Sequence, residues 1–259
     1  MAGSELAFDV SKEIGKITAF IRQVVAGASA KGVVVGLSGG VDSSVAGALC
    51  VRALGKEKVM GLLMPSDHTP KEDTRDATGL AEAWGIRSEK IPISKTVRVL
   101  TDAAKIPGTK ISRANVEARV RMTILYYYAN SLGYLVAGTD DKSEGAIGFY
   151  TKFGDGGVDF LPISHLYKTQ VRELGVHLGL PKKIAQKPAS PQLWPGHRAT
   201  DEIPADYDRL DIALHCLFDL KRTPREAAAR AGIPLGAVEK VLQMHRMTEH
   251  KRKMPPSLQ

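Results

Sequence analysis

The residues best suited to chemistry are Gly36-Leu37-Ser38-Gly39-Gly40-Val41-Asp42-Ser43-Ser44. Glycines at these positions let the backbone approach a ligand closely and adopt positive φ. Asp42, Ser43 and Ser44 suit the first turn of a helix. A helix start carries unpaired N–H groups and the positive end of the dipole, so this stretch suits an anion such as pyrophosphate. No Lys follows the glycines, which excludes the G-x-x-x-x-G-K-[ST] phosphate loop, and the spacing is not G-x-G-x-x-G. Three further segments carry polar groups in dense runs. They are residues 138–144 (GTDDKSE), the glycine-rich 145–157 with Phe149, Tyr150, Phe153 and Asp155, and the basic tail from His250 to Lys253. Cys50 and Cys216 are the two cysteines, far apart and without metal-like spacing.

The elements that must position these residues are legible as alternating strands and helices. Val33-Val34-Val35 precedes the glycine stretch and residues 45–54 follow it with helical periodicity, so the order is strand, turn, helix. Further strands are expected at 58–64, 88–93, 134–137 and 158–163. Helices are expected at 5–30, 72–84, 96–104, 113–132, 168–180, 206–220, 225–231 and 235–247. The alternation predicts an α/β fold, a doubly wound parallel sheet with helices on both faces, followed by C-terminal helices. Loops at the carboxyl ends of such strands bind ligands, which places 66–74 and 138–144 on the ligand face. The organisation expected is a single domain over 1–259. Its core is 31–185, its lid a proline-rich loop at 187–204, and its last part the helices and tail of 205–259. The 113–132 helix is apolar around much of its circumference, which suggests an intersubunit face and a two-fold dimer.

A chain of 259 residues buries a sizeable core, and 43% hydrophobic with 25% charged residues is ordinary for a soluble protein. No apolar run is long enough to span a bilayer, and the first residues lack a signal-peptide core. With only two separated cysteines, a reducing cytoplasm is the simplest compartment. The formal charge of +8 suggests polyanionic ligands without choosing between nucleotides and nucleic acid.

SGGVDSS resembles the pyrophosphate loop of the N-type ATP pyrophosphatases, which split ATP between its α and β phosphates. Gly138-Thr139-Asp140, Glu144, residues 149–157 (FYTKFGDGG) and Glu249-His250-Lys251-Arg252 narrow the match to the ammonia-dependent NAD synthetases, over about residues 31–254. The SPQLWPGH segment is similar to the archaeal branch. Bacterial members usually have Gln at Val41 and Thr at Ser190, and Ser keeps the hydroxyl. The resemblance implies an adenine nucleotide α-hydrolase-like fold and a two-step amidation. The nicotinate carboxylate of deamido-NAD attacks the α-phosphorus of ATP, releasing pyrophosphate; ammonia then displaces AMP to give NAD. Glutamine-dependent relatives carry an amidase domain for which the chain leaves no room, so free ammonia is the expected donor.

Residue by residue, the resemblance implies ATP contacts at Gly36, Leu37, Ser38, Gly39, Gly40, Val41, Asp42, Ser43, Thr139, Lys168 and Ser190. It implies deamido-NAD contacts at Arg119, Lys152, Asp159, His250 and Lys251, with Arg119 reaching across a dimer interface. It pairs Asp42 with Glu144 as Mg²⁺ ligands and places Lys168 on the leaving pyrophosphate. Asp155, between two glycines, is the candidate group for attracting ammonium and taking its proton. Without the resemblance each has a plainer reading: Asp42 as a helix cap, Lys168 as a surface lysine, Asp155 as a turn former, Lys152 and Asp159 as a mutual ion pair. Competing functions are another adenylating or tRNA-modifying ATP pyrophosphatase, a non-catalytic nucleotide sensor, and a helix-turn-helix over 223–238.

Overall fold

The computed structural model describes residues 5–189 and 202–258. The chain alternates α1 (Val10–Gly27), β1 (Val33–Gly36), α2 (Val41–Leu54), β2 (Val59–Leu63), α3 (Lys71–Trp84), β3 (Arg87–Lys90), α4 (Ser94–Asp102), α5 (Lys110–Leu132) and β4 (Leu135–Ala137). Then come α6 (Lys142–Ile147), α7 (Lys168–His177), α8 (Lys182–Ala185), α9 (Tyr207–Leu214), α10 (Pro224–Ala231), α11 (Leu235–Met247) and α12 (Glu249–Arg252).

The four strands form one parallel sheet in the order β3-β2-β1-β4. Val33 sits opposite Val59 on one side and Leu135 on the other. Strand β1 therefore feeds a connection to β2 on one flank, while β4 closes the other flank. That reversal leaves a crevice beyond the carboxyl ends of β1 and β4, where ligands bind in such sheets. Side chains alternate across the sheet with period two. Val33 and Val35 join one core with α1, α2 and α7, through Ile17, Ile21, Val45, Leu49, Val171 and Leu174. Val34 joins the opposite core with Met60, Leu62, Val136 and Val120 of α5. Helices thus cover both faces, as expected. A further core lies outside the sheet, where α6 and α9–α11 bury Ile147, Leu210, Leu214, Ala227, Val238 and Val241.

Four expectations need correction. Residues 158–163 form no strand, only one parallel bridge between Ala137 and Phe160. The Asp159 carboxylate takes the Val136 N–H at 2.7 Å, and Pro162 has no N–H to donate, so the ladder stops there. The helix expected over 206–220 is helical only to Leu214 and continues as a wide π turn, His215–Asp219, closed by Leu220 N–H on the His215 carbonyl at 3.0 Å. The first helix begins at Val10, because Asp9 caps it by accepting the Lys12 N–H at 2.9 Å. Helix α6 was not expected; Asp141 caps it through the Glu144 N–H at 2.9 Å. The proposed lid lies mostly outside the described residues.

The helix pair over 223–238 forms as α10 and α11, yet Ala227, Ala228, Ala231 and Val238 are buried in the outer core. Their apolar faces are spent on that core. Leu174, fully buried on α7, links that helix to the main core. Leu174→Ala is expected to lower unfolding free energy by about 2–5 kcal/mol, read from urea denaturation midpoints at unchanged slope.

Candidate active site

The glycine stretch folds into the connection between β1 and α2. Gly39 adopts φ 80°, and a Cβ there would lie 2.3 Å from the Asp73 carbonyl oxygen, so only glycine fits. The serines fold the loop on itself. Ser38 N–H donates to Ser43 Oγ at 3.2 Å, Gly40 N–H donates to Ser38 Oγ at 3.2 Å, and Ser44 Oγ donates to the Gly40 carbonyl at 2.7 Å. Gly40 is the cap and has no side chain to satisfy the first turn. The N–H groups of Val41, Asp42 and Ser43 are consequently left for an anion.

That helix end opens on a cavity of about 550 Å³, within the range of small-molecule sites. Gly36, Leu37, Ser38, Gly40, Val41, Asp42 and Ser43 line it. Thr139, Glu144, Tyr150, Asp155 and Lys251 line it as well. Gly39 shapes the turn from behind. Ser190 lies outside the described residues.

Lys168, the first residue of α7, is fully buried behind this wall. Its Nζ lies 2.8 Å from Asp42 Oδ1, 3.0 Å from Asp141 Oδ2 and 2.9 Å from Glu144 Oε1. Only the Glu144 contact has hydrogen-bond alignment; the Asp42 and Asp141 oxygens are buried without one. Burial alone pushes the lysine toward neutrality, but Asp141, Asp42 and Glu144 outweigh it and hold the ammonium well above its ordinary pKa. The carboxylates pay the opposite way: burial, then the neighbouring acids, raise Glu144 well above the usual carboxylate range and raise Asp141 also. Buried Asp140, beside them, is raised well above its ordinary value by burial, Asp155 and Asp141. One ammonium among this many acids leaves an excess of negative charge.

This donor set has the chemistry a hard divalent cation requires. Asp42 and Glu144 supply hard oxygens that line the cavity and face each other across one nitrogen, and Asp42 Oδ1 has no hydrogen bond. Among the described residues no group of three or more His, Cys, Asp or Glu side chains forms a metal cage. Two carboxylates with the remaining ligands from phosphate and water fit Mg²⁺, which keeps much of its shell outside the protein.

Asp155 faces the cavity from the glycine-rich loop and accepts the Thr151 N–H at 2.8 Å. Asp155 is itself exposed at the cavity's edge, and it is the bulk of surrounding protein that desolvates its carboxyl and raises its pKa, against the backbone N–H groups, Lys251 and Arg121. Lys251 donates to the Gly148 and Tyr150 carbonyls, both at 2.6 Å, and burial lowers its pKa. The other residues expected at deamido-NAD lie outside this cavity. Arg119 is exposed on α5 and donates to the Lys152 carbonyl at 3.2 Å. Lys152 donates to the His250 carbonyl at 2.6 Å, and His250 is exposed on α12. Asp159 holds the Val136 N–H and accepts from the Tyr126 hydroxyl at 3.1 Å, so Lys152 and Asp159 are not an ion pair. Of the aromatics, Phe149 and Tyr150 line the cavity while Phe153 is exposed at φ 58°.

Several residues here were not singled out from sequence. Asp141 is the third acid on Lys168; its signal was the Asp141-x-x-Glu144 capping spacing. Lys187 lines the cavity and pairs with buried Asp73, whose backbone closes on Gly39. Arg121 lines it too, donating to the Met64 carbonyl at 3.0 Å.

Residues 13–255 match the profile of the family described as NAD synthase. An NH(3)-dependent NAD(+) synthetase from Hyperthermus butylicus is 53% identical over 93% of this chain and 88% of its own length. One from Staphylothermus marinus is 46% identical over 93% and 88%. Among solved structures, an NH3-dependent NAD synthetase from Campylobacter jejuni has a TM-score of 0.84 at 30% identity, covering 98% of this chain and 100% of that one. An NMN synthetase from Francisella tularensis has a TM-score of 0.87 at 32% identity, covering 97% and 99%. With profile, relatives and fold in agreement, the chain belongs to the NAD synthase family and is an enzyme of the ligase class.

Proposed function

We propose that this cavity carries out the ATP-dependent amidation of deamido-NAD by ammonia, yielding NAD, AMP and pyrophosphate. The observation that carries the reading is the shared opening of three groups on one cavity: the bare start of α2, Asp42 and Glu144 beside Lys168, and Asp155. The family's relatives are named for this activity.

The N–H groups of Val41, Asp42 and Ser43 hold the outer phosphates of ATP and stabilise the charge that grows on pyrophosphate as it leaves. Ser38 and Ser43 keep that loop folded, so its donors are oriented before the nucleotide arrives. Asp42 and Glu144 would hold Mg²⁺, which when bound would supply the charge neutralisation that lets one polyanion approach another. Thr139, at the end of β4, lies on the same wall, and Ser190 is proposed as a further ATP contact. The nicotinate carboxylate adds to the α-phosphorus and pyrophosphate departs. Ammonia then adds to the acyl carbon and AMP departs. Asp155 attracts ammonium and takes its proton. Its raised pKa moves it toward the working range of a general base.

Lys251 is the deamido-NAD residue that lies within the cavity. Arg119, Lys152, Asp159 and His250 are proposed to meet the rest of that substrate across a two-fold interface. Apolar exposure on α4, α5 and the loop between them supports this. Val99, Leu100, Ile106, Ile111 and Tyr127 are large apolar side chains left exposed along that stretch, Tyr127 at 71%. A reducing cytoplasm is the proposed compartment; both cysteines are free and buried.

The direct check is product analysis with ATP, deamido-NAD, ammonium and Mg²⁺: NAD, AMP and pyrophosphate should appear in equal amounts, and pyrophosphate at background would overturn the reading. Glu144→Gln is expected to slow pyrophosphate release by at least about 100-fold. For Asp155 the sign follows from its direction of shift. Because its folded pKa is raised, it gains its proton earlier as pH falls, so kcat/KM for ammonium should decline on the acid side above the ordinary carboxylate range. Asp155→Asn should lose that acid limb and weaken apparent ammonium affinity; a variant with the parent profile would remove Asp155 from the mechanism. Tyr127→Glu should shift the dimer toward monomer in sedimentation equilibrium.

A further inference from the structure

Two carboxylates outside the cavity hold the helices that carry the Lys168 cluster. Asp211 of α9 is fully buried. It accepts from Ser143 Oγ at 2.6 Å, and from Thr169 N–H and Oγ1, each at 2.8 Å. Ser143 Oγ in turn accepts the Lys168 N–H at 3.0 Å. Asp219 closes the π turn. Both its oxygens accept from Lys142 Nζ at 2.7 Å, and one also accepts from the Tyr167 hydroxyl at 2.8 Å and meets His215 Nδ1 at 2.9 Å. Against partial burial, Lys142, His215 and Tyr167 hold the Asp219 carboxyl down at about 2, so it is ionised throughout the working range. The partners of these two acids are residues 142, 143, 167 and 169. These are chain neighbours of Asp141 and Glu144 on α6 and of Lys168 on α7.

The π turn is what brings Asp219 there. Such turns frequently interrupt α-helices at functional sites. The chain leaves it through Lys221 at φ 54°, a conformation uncommon for a residue with a side chain. Neither Asp211 nor Asp219 lines the cavity.

We propose that Asp219 is a positioning residue for the adenylating centre: by tying Lys142 on α6 to Tyr167 at the head of α7, it fixes the separation between Glu144 and Lys168 without touching substrate. The proposal rests on the reading that Glu144 and Lys168 work at the ATP phosphates. An ordinary partly exposed ion pair would contribute to stability alone. A positioning role differs, because a small displacement of a catalytic group lowers turnover more than binding.

The test uses the full chain with ATP, deamido-NAD, ammonium and Mg²⁺, comparing Asp219→Asn, Asp219→Glu and Lys142→Met for Tm, kcat and KM for ATP. Asp219→Asn should stay folded at the assay temperature and lose about 10- to 100-fold in kcat, with KM for ATP within about three-fold. Asp219→Glu should restore part of that loss. Lys142→Met should lower kcat too, and adding it to Asp219→Asn should cost little more, since both remove one tie. A folded Asp219→Asn with kcat within about two-fold of the parent, or a loss that only follows the folded fraction, overturns the proposal. Should Asp219→Asn not fold, Lys142→Met is judged by the same two criteria; failure of both to fold also overturns it, in favour of a purely structural tie. Glu144→Gln is measured alongside. If it too leaves pyrophosphate release intact, the assignment of the centre has failed; if it abolishes release while Asp219→Asn does not, only the positioning role has.

Discussion

The site depends on a single buried ammonium. Lys168 sits in the protein with no exposure to solvent, and desolvating a charge costs several kcal/mol even after relaxation. Asp42, Asp141 and Glu144 offset that cost. Those acids also depend on the lysine. Without the ammonium, three carboxylates from two helices would face one another at short range, and each would tend to protonate or move apart. A lysine at the first position of a helix is also unfavourable with respect to the dipole, while carboxylates at helix starts are favourable. Both facts are satisfied at once: Asp42 lies in the first turn of α2, Asp141 caps α6, Glu144 lies in its first turn, and Lys168 opens α7 among them.

The sheet order explains how residues so far apart in sequence converge. Strands β1 and β4 are neighbours in the sheet, so the turns that follow them are neighbours too. One turn starts α2 with Asp42; the other starts α6 with Asp141 and Glu144. The bridge from Ala137 to Phe160 then steers the chain back beside β4, and α7 returns Lys168 to the same spot. The 158–163 segment serves as a guide rail rather than a fifth strand. Asp159 is part of that guide, since its carboxylate replaces a ladder acceptor at Val136.

Much of this was legible in the residues, and the gaps have physical causes. The parallel α/β sheet followed from alternation of β-branched runs with helical periodicity. The anion-binding start of α2 followed from glycines before acid and hydroxyl groups. Helix α6 was missed because six residues containing an internal glycine show no periodicity. The π turn was missed because an apolar helical face gives no warning that one residue is looped out. Lys168 was assigned to the centre by resemblance, but composition gives a lysine a solvated reading; nothing local announces that three acids from elsewhere will enclose it. The deamido-NAD residues illustrate a different limit. Arg119, Lys152, Asp159 and His250 were grouped by resemblance, and within one chain they hold carbonyls, amides or solvent instead of lining the cavity with Lys251.

The enclosure of Lys168 also bears on what that lysine does. An ammonium has three N–H donors, and three acid oxygens lie within reach of Nζ. In this arrangement one of those donors makes an aligned bond, to Glu144, and the other two contacts are electrostatic. Together they hold Asp42 and Glu144 facing one another. The Asp42 and Asp141 oxygens both lack an aligned bond, and of these two acids only Asp42 lines the cavity. The same buried lysine thus sets the distance between two acids that start different helices, and with it the shape of the wall that α2 and α6 present to the cavity.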